Sequence, residues 1–123
     1  MAKTILVVDD SSSLRALVKL SLTRAGYAVI EASDGKAGLA QLDSGAAVNM
    51  IVSDVNMPNM DGIAFVTQVK RHPRHKFTPV IMLTTEDQES KMQQARAAGA
   101  RAWLLKPFNG PQLLDAVSRL VQA

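Results

Sequence analysis

The sequence predicts a doubly wound α/β domain, with five strands in one parallel sheet and helices on both faces. Two observations carry this. Short apolar runs alternate five times with capped or amphipathic helical stretches, and such alternation requires right-handed crossovers and hence a parallel sheet. The apolar runs also lack the period-two pattern of a half-exposed sheet, as strands covered on both faces should.

The first run, Thr4-Ile5-Leu6-Val7-Val8, ends in Asp9-Asp10. Ser11-Ser12-Ser13 then offers N-cap hydroxyls. Leu14, Leu17, Val18, Leu20 and Leu22 place apolar side chains largely on one helix face up to Gly26, a C′ glycine. Tyr27 to Ala32 forms the second strand, and Asp34 caps a helix carrying Ala37, Leu39, Ala40 and Leu42 that ends by Ser44-Gly45. Met50-Ile51-Val52-Ser53 is the third strand and leads to Asp54. Asp61 caps a third helix with Ile63, Phe65, Val66 and Val69 facing inward, stopped before Pro73. Pro79 to Leu83 leads to Thr84-Thr85. Asp87 caps a helix from Gln88 to Ala98 closed by Gly99, and Arg101 to Leu105 leads to Lys106-Pro107. Asn109 with Pro111 opens the last helix, which holds Leu113, Leu114, Val117, Leu120 and Val121. Met50, Met82 and Met92 read as core filler, while Met57 and Met60 belong to the loop after Asp54.

A chain of 123 residues with 47% apolar content is one domain, spanning residues 1–123 with no separate output domain. The lack of cysteine excludes a disulfide framework, a thiolate metal site and a Cys nucleophile. The first apolar run is too short for a signal h-region, and none approaches the ~18 residues of a membrane span. A soluble, cytoplasmic monomer is expected. The net charge of +3 and pI of 9.5 come from scattered basic residues, apart from Arg71-His72-Pro73-Arg74-His75-Lys76, which reads as a solvated loop. With 4% aromatics and no helix-turn-helix or finger signature, nucleic-acid binding is not expected.

In a parallel sheet the ends of the first, third, fourth and fifth strands lie along one edge, where open α/β folds bind ligands. Asp9, Asp10 and Asp54 would meet there, and clustered carboxylates raise one another's pKa unless a cation intervenes. The donors are hard oxygens with no His or Cys nearby in sequence, which favours Mg²⁺ or Mn²⁺ over Zn²⁺. Lys106 adds a fixed positive charge and Thr84 a hydroxyl. That combination suits phosphoryl transfer with Asp54 as the accepting nucleophile. Taken singly, Asp9-Asp10 could cap a helix, Lys106 could snorkel and Thr84 could close a turn; their corresponding positions at strand ends outweigh those readings.

Together these residues, with the loop Met57-Pro58-Asn59-Met60-Asp61-Gly62 and with Lys106-Pro107-Phe108, resemble the receiver domain of two-component response regulators. The match runs through the whole chain in order and spacing. More narrowly, the chain is similar to stand-alone chemotaxis receivers of the CheY type. The resemblance implies a flavodoxin-like (βα)5 fold with strand order 2-1-3-4-5 and a cis Lys106-Pro107 bond. Asp54 would accept a phosphoryl group from a kinase phosphohistidine. Asp10, Asp54 and the backbone carbonyl of Asn56 would ligate Mg²⁺, with Asp9 acting through water, and Thr84 and Lys106 would hold phosphoryl oxygens. Thr84 and Trp103 would act as switch residues that change the surface of helix four, strand five and helix five. Asn56 and Glu86 match the pair of fast-resetting chemotaxis receivers and would set phosphoryl lifetime.

The partners implied are a sensor histidine kinase of the chemotaxis type and an output protein such as a flagellar motor switch. Catalysis would be limited to receiving and shedding one phosphoryl group, so the chain is not expected to be an enzyme. Two positions depart from the family pattern. Trp103 is larger than the usual Tyr or Phe and has no hydroxyl, and Thr85 stands where Ala or Gly is common. The alternative is a haloacid-dehalogenase-like phosphatase with an aspartyl-phosphate intermediate. Such an enzyme carries a second Asp two residues after the nucleophile as general acid, and that position here is Asn56. A dinucleotide-binding module lacks support, because no G-x-G-x-x-G or P-loop follows the first strand.

Overall fold

Runs of Ile, Val, Met and Leu have no polar face to turn to water, and the fold buries the central three of them completely or nearly so. The computed structural model describes residues 3–57, 59–84 and 89–121. The elements are β1 Thr4–Val8, α1 Ser12–Arg24, β2 Ala28–Ala32, α2 Gly35–Asp43, β3 Met50–Asp54, α3 Gly62–Arg71, β4 Val80–Thr84, α4 Glu89–Ala98, β5 Ala102–Leu105 and α5 Gly110–Leu120. All strand pairs are parallel and the sheet order is β2-β1-β3-β4-β5, as the sequence and its resemblance imply. None of the described helices is long and apolar enough to cross a membrane.

The pleat divides each central strand between two cores. Leu6, Val8, Ile51, Val80 and Met82 face α2, α3 and α4, packing with Leu42, Phe65, Val66, Val69 and Ala95. Ile5, Val7, Met50, Val52, Ile81 and Leu83 face α1 and α5, packing with Val18, Leu22, Leu113 and Val117. Side-chain caps start the helices where the sequence placed them. The oxygens of Ser11, Asp34, Asp61 and Asn109 accept from the backbone N–H groups of Leu14, Ala37, Ala64 and Gln112, each cap stabilising its helix by about 1 kcal/mol. Gln112 returns a bond to the Asn109 N–H, completing a capping box. Thr85, Glu86, Asp87 and Gln88 lie outside the described residues, and with them the expected cap of α4.

Two expectations change. In α1 the inward stripe is Leu14, Val18 and Leu22, spaced by four, while Leu17 and Leu20 are 63% and 48% exposed; the helix turns them off the stripe toward solvent. The Arg71–Lys76 run is a structured turn, with two of its side chains engaged on the end of α2. The last carbonyls of a helix have no partner within it, and the Arg74 guanidinium donates to the Leu42 carbonyl (3.1 Å). His72 Nε2 pairs with Asp43 Oδ1 (3.1 Å). His75 is buried, with Nδ1 3.1 Å from Thr78 Oγ1.

Helix α3 sits directly on the end of β3, which it can do only because its first residue is Gly62. A Cβ there would land on the Asp54 carbonyl oxygen and 2.9 Å from Val55 Cα, both backbone atoms that cannot swing away. Gly62→Ala is therefore expected to destabilise the fold by about 2 kcal/mol, measured as a urea midpoint shifted without change of slope; a stabilised variant would contradict the packing.

Burial lowers the His75 pKa from its ordinary 6.5, with the charges of His72 and Arg74 adding to the effect and a bond to the Ala46 backbone opposing it. As pH falls, the unfolded chain therefore takes up this proton before the folded one does, so stability is lost from about pH 6.5 downward. Unfolding midpoints followed from about pH 7.5 to 5.5 should fall more steeply for the wild type than for His75→Gln. Equal slopes would show that His75 is not the group responsible.

Candidate functional site

Strand register brings the site together. Val8 pairs with Ser53, so Asp9 leaves β1 beside Asp54 at the end of β3. Asp54 pairs with Leu83, which places Thr84 one step further along β4, and Thr84 pairs with Leu105, which places Lys106 one step beyond β5. The carboxylates of Asp9, Asp10 and Asp54 each present an oxygen within 4.8 Å of the others, and among the described residues this is the one such acidic group. Lys106 Nζ donates to Asp54 Oδ1 at 3.1 Å and stands 3.7 Å from Asp9 Oδ2. The Lys106 N–H also donates to the Thr84 carbonyl (2.7 Å), tying β5 to β4 at this edge. The Lys106-Pro107 peptide is cis, as the resemblance implies.

The exposures differ across the cluster. Asp10 is exposed, Asp54 is 7% exposed, and Asp9 and Thr84 are each 1% exposed. Asp9 Oδ1 accepts from the Ser11 N–H (2.9 Å). Asp9 Oδ2 is buried and accepts no hydrogen bond from the described residues, a costly arrangement for a carboxylate oxygen. Burial pushes the Asp9 carboxyl above the usual range. The Ser11 N–H pulls it back, the Asp54 charge raises it, Lys106 lowers it and Asp10 raises it again. A buried carboxylate oxygen facing two more carboxylates is what a hard divalent cation would satisfy, and the all-oxygen donor set fits Mg²⁺ or Mn²⁺.

The loop after Asp54 is held from three sides. Its Gly62 N–H donates to the Val55 carbonyl (2.8 Å), and the Val55 N–H donates to Leu83 in β4 (3.1 Å). Asn59, in the left-handed region at φ 68°, donates from its amide to Asp34 Oδ2 (2.8 Å); Asp34 is thus more than the cap expected of it. Asn56 is exposed, and its side-chain oxygen accepts from Lys91 Nζ of α4 (2.9 Å). Trp103 lies apart from the carboxylates, on the sheet face covered by α4. Its ring is half-buried, with the Arg96 guanidinium 4.4 Å above its centre. Met92, Gln93, Arg96 and Trp103 line a shallow cleft of about 160 Å³; Met92 is only half-buried and shares this cleft rather than the core.

Four residues shape the site without having signalled it in the sequence. Arg15 of α1 donates to the Asp9 carbonyl and pairs with Glu31 (3.3 Å), which Lys19 also approaches (3.4 Å). Lys91 and Arg96 of α4 engage Asn56 and Trp103, and Asn59 engages Asp34. These partners are 25 to 35 residues apart in the two cross-loop pairs, so no local pattern records them. Glu86, expected to act with Asn56, lies outside the described residues.

Comparison with known proteins agrees with this geometry. Residues 5–118 match the response regulator receiver domain family. Chemotaxis protein CheY1 of Helicobacter pylori is 40% identical over 111 residues, 89% of each chain. A segment of the sensor histidine kinase CheAY of the same species is 30% identical over 119 residues, 96% of this chain and 15% of that protein. The structure of chemotaxis protein CheY4 from Vibrio cholerae matches with a TM-score of 0.93 at 45% identity, covering 98% of this chain and 100% of that one. With family, near relatives and fold in agreement, the chain belongs to the response regulator receiver domains, and among them it is of the CheY type.

Proposed function

We propose that this receiver is a chemotaxis switch operated by a phosphoryl group on Asp54. The observation that carries the reading is the Lys106 ammonium poised between Asp54 Oδ1 and Asp9 Oδ2, at 3.1 and 3.7 Å, in a cluster of three carboxylates at the sheet edge. Asp10, Asp54 and the Asn56 carbonyl would hold a divalent cation, Mg²⁺ by preference, with Asp9 engaged through water. A bound cation would neutralise the carboxylates and the charge on the arriving phosphoryl oxygens.

The chain's own residues supply the rest. A carboxylate oxygen of Asp54 attacks phosphorus as the bond from phosphorus to the donor imidazole nitrogen breaks, its electron pair staying on the imidazole. Lys106 pairs with one phosphoryl oxygen and the Thr84 hydroxyl donates to another. Both groups project from adjacent strand ends on the same edge as Asp54. Movement of Thr84 toward the phosphoryl group would let Trp103 shift behind it, altering the surface of α4, β5 and α5. Asn56, with Glu86, would set how long the phosphoryl group survives.

A sensor histidine kinase of the chemotaxis type is the fitting donor; the CheAY relative carries a segment similar to this chain inside a protein named as such a kinase. The output partner fitting this class is a flagellar motor switch component, and the whole chain acts as one receiver unit. Turnover of external phosphate esters does not fit, because an amide, Asn56, stands where the general acid of an aspartyl-phosphate phosphatase would be.

Trp103 is the sole Trp of the chain and reports on the switch directly. Mg²⁺ followed by beryllofluoride, a phosphoryl mimic, should change its fluorescence in the wild type and leave Asp54→Asn unchanged. Incubation with acetyl phosphate and Mg²⁺ should add roughly 80 Da, one HPO₃ group, to the wild type alone. An equal response or equal mass gain in Asp54→Asn would remove Asp54 from its role, and multiple turnovers on a phosphate monoester would favour the enzyme reading instead.

A further inference from the structure

Asn56 opens the loop that follows Asp54, and the group that touches its side chain comes from 35 residues away. Lys91, in the first turn of α4, places Nζ 2.9 Å from Asn56 Oδ1. An ammonium has three donors and no acceptor. It therefore fixes which end of the Asn56 amide faces α4: the oxygen points to Lys91 and the NH₂ group points away. A donor-only side chain imposes that orientation unconditionally, whereas an amide or hydroxyl could serve either end.

We propose that Lys91 is a positioning residue that prolongs the phosphorylated state by holding the Asn56 amide oxygen away from hydrolytic water; this rests on Asp54 being the phosphoryl acceptor. In hydrolysis a water oxygen bonds to phosphorus, and the bond from phosphorus to the Asp54 carboxylate oxygen breaks with its electron pair left on the carboxylate. Both water protons leave with the orthophosphate. A neighbouring amide oxygen speeds that step when it accepts a hydrogen bond from the water, because the water's lone pair is then aimed at phosphorus. An amide NH₂ cannot do this, since it donates to the same lone pairs. With its oxygen engaged by a charged donor, the stronger class of hydrogen bond, Asn56 has its accepting end committed to α4. Freed from Lys91, the amide can rotate and present that end to water.

The test follows loss of phosphoryl from the purified protein after labelling with acetyl phosphate and Mg²⁺ and removal of the donor. Lys91→Met should shorten the phosphoryl lifetime about fivefold, the scale of one ordinary, solvent-exposed hydrogen bond in a rate, while Lys91→Arg, which keeps a donor-only cation, stays within about twofold of wild type. In an Asn56→Ala background the Lys91→Met change should have no further effect, which separates action through Asn56 from a general charge effect. Matching thermal midpoints of wild type and Lys91→Met would show that the lifetime reports on the site. An unchanged lifetime in Lys91→Met, or the same fivefold change without Asn56, overturns the proposal while leaving the Asp54 reading intact. A wild type that acquires no phosphoryl group at all overturns both.

Discussion

Two like charges about 4 Å apart repel by roughly 4 kcal/mol at the effective dielectric of a protein surface, and this fold gathers three carboxylates with oxygens within 4.8 Å of one another. Such a concentration persists only where positive charge reaches it. Lys106 is that charge in the chain itself, set between Asp54 and Asp9 by the turn that follows β5. One lysine does not balance three carboxylates, and among the described residues nothing donates a hydrogen bond to the buried oxygen of Asp9. The residual demand for positive charge is the chemical basis for the divalent cation proposed at this edge.

The architecture keeps the repelling groups in place. β1, β3 and β4 have apolar residues at or just before their ends anchored in two cores, so Asp54 and Thr84 cannot retreat from the edge without exposing Met82, Leu83 or Val52. Each buried side chain of that size contributes about 1.5–3 kcal/mol relative to exposure, and the sum over the strands exceeds the local repulsion. Gly62 lets α3 close directly over the Asp54 carbonyl. Arg15 reaches from α1 to the carbonyl of Asp9, so both faces of the sheet brace the acidic edge.

Helix α4 touches both the loop after Asp54 and the ring of Trp103. Its Lys91 engages the loop after Asp54, and its Arg96 covers the ring of Trp103 about one and a half turns later. A change at the acidic edge thus has a short physical route to the aromatic face through one rigid element. The cation–π contact contributes on the order of 1 kcal/mol, small enough to be exchanged for another contact.

The five strand–helix units, the caps of α1, α2, α3 and α5 and the acidic edge were legible in the chain, because they depend on local patterns: apolar runs, Ser, Asp and Asn before helices, and charged residues at strand ends. Asp61 and Asn109 open α3 and α5 as expected, while the return bond from Gln112 that completes a capping box appears only in the structure. The exposure of Leu17 and Leu20 was not legible, since a helix with several leucines does not say which of them meet the sheet. Nor was the turn from Arg71 to Lys76, whose polar composition reads as solvated until Leu42 and Asp43 are seen beside it.

By itself, then, the amino-acid order determined which charged side chains stand at strand ends and that parallel pairing would align them, because periodicity and strand ends are properties of neighbours along the chain. Only the tertiary structure decided which cation meets which carboxylate, that Asp9 Oδ2 is buried facing Lys106 with no hydrogen bond from the described residues, and that Lys91, Arg96 and Arg15 attend the site. Those choices arise from the meeting of segments far apart in sequence, where distance and burial rather than pattern set the energy.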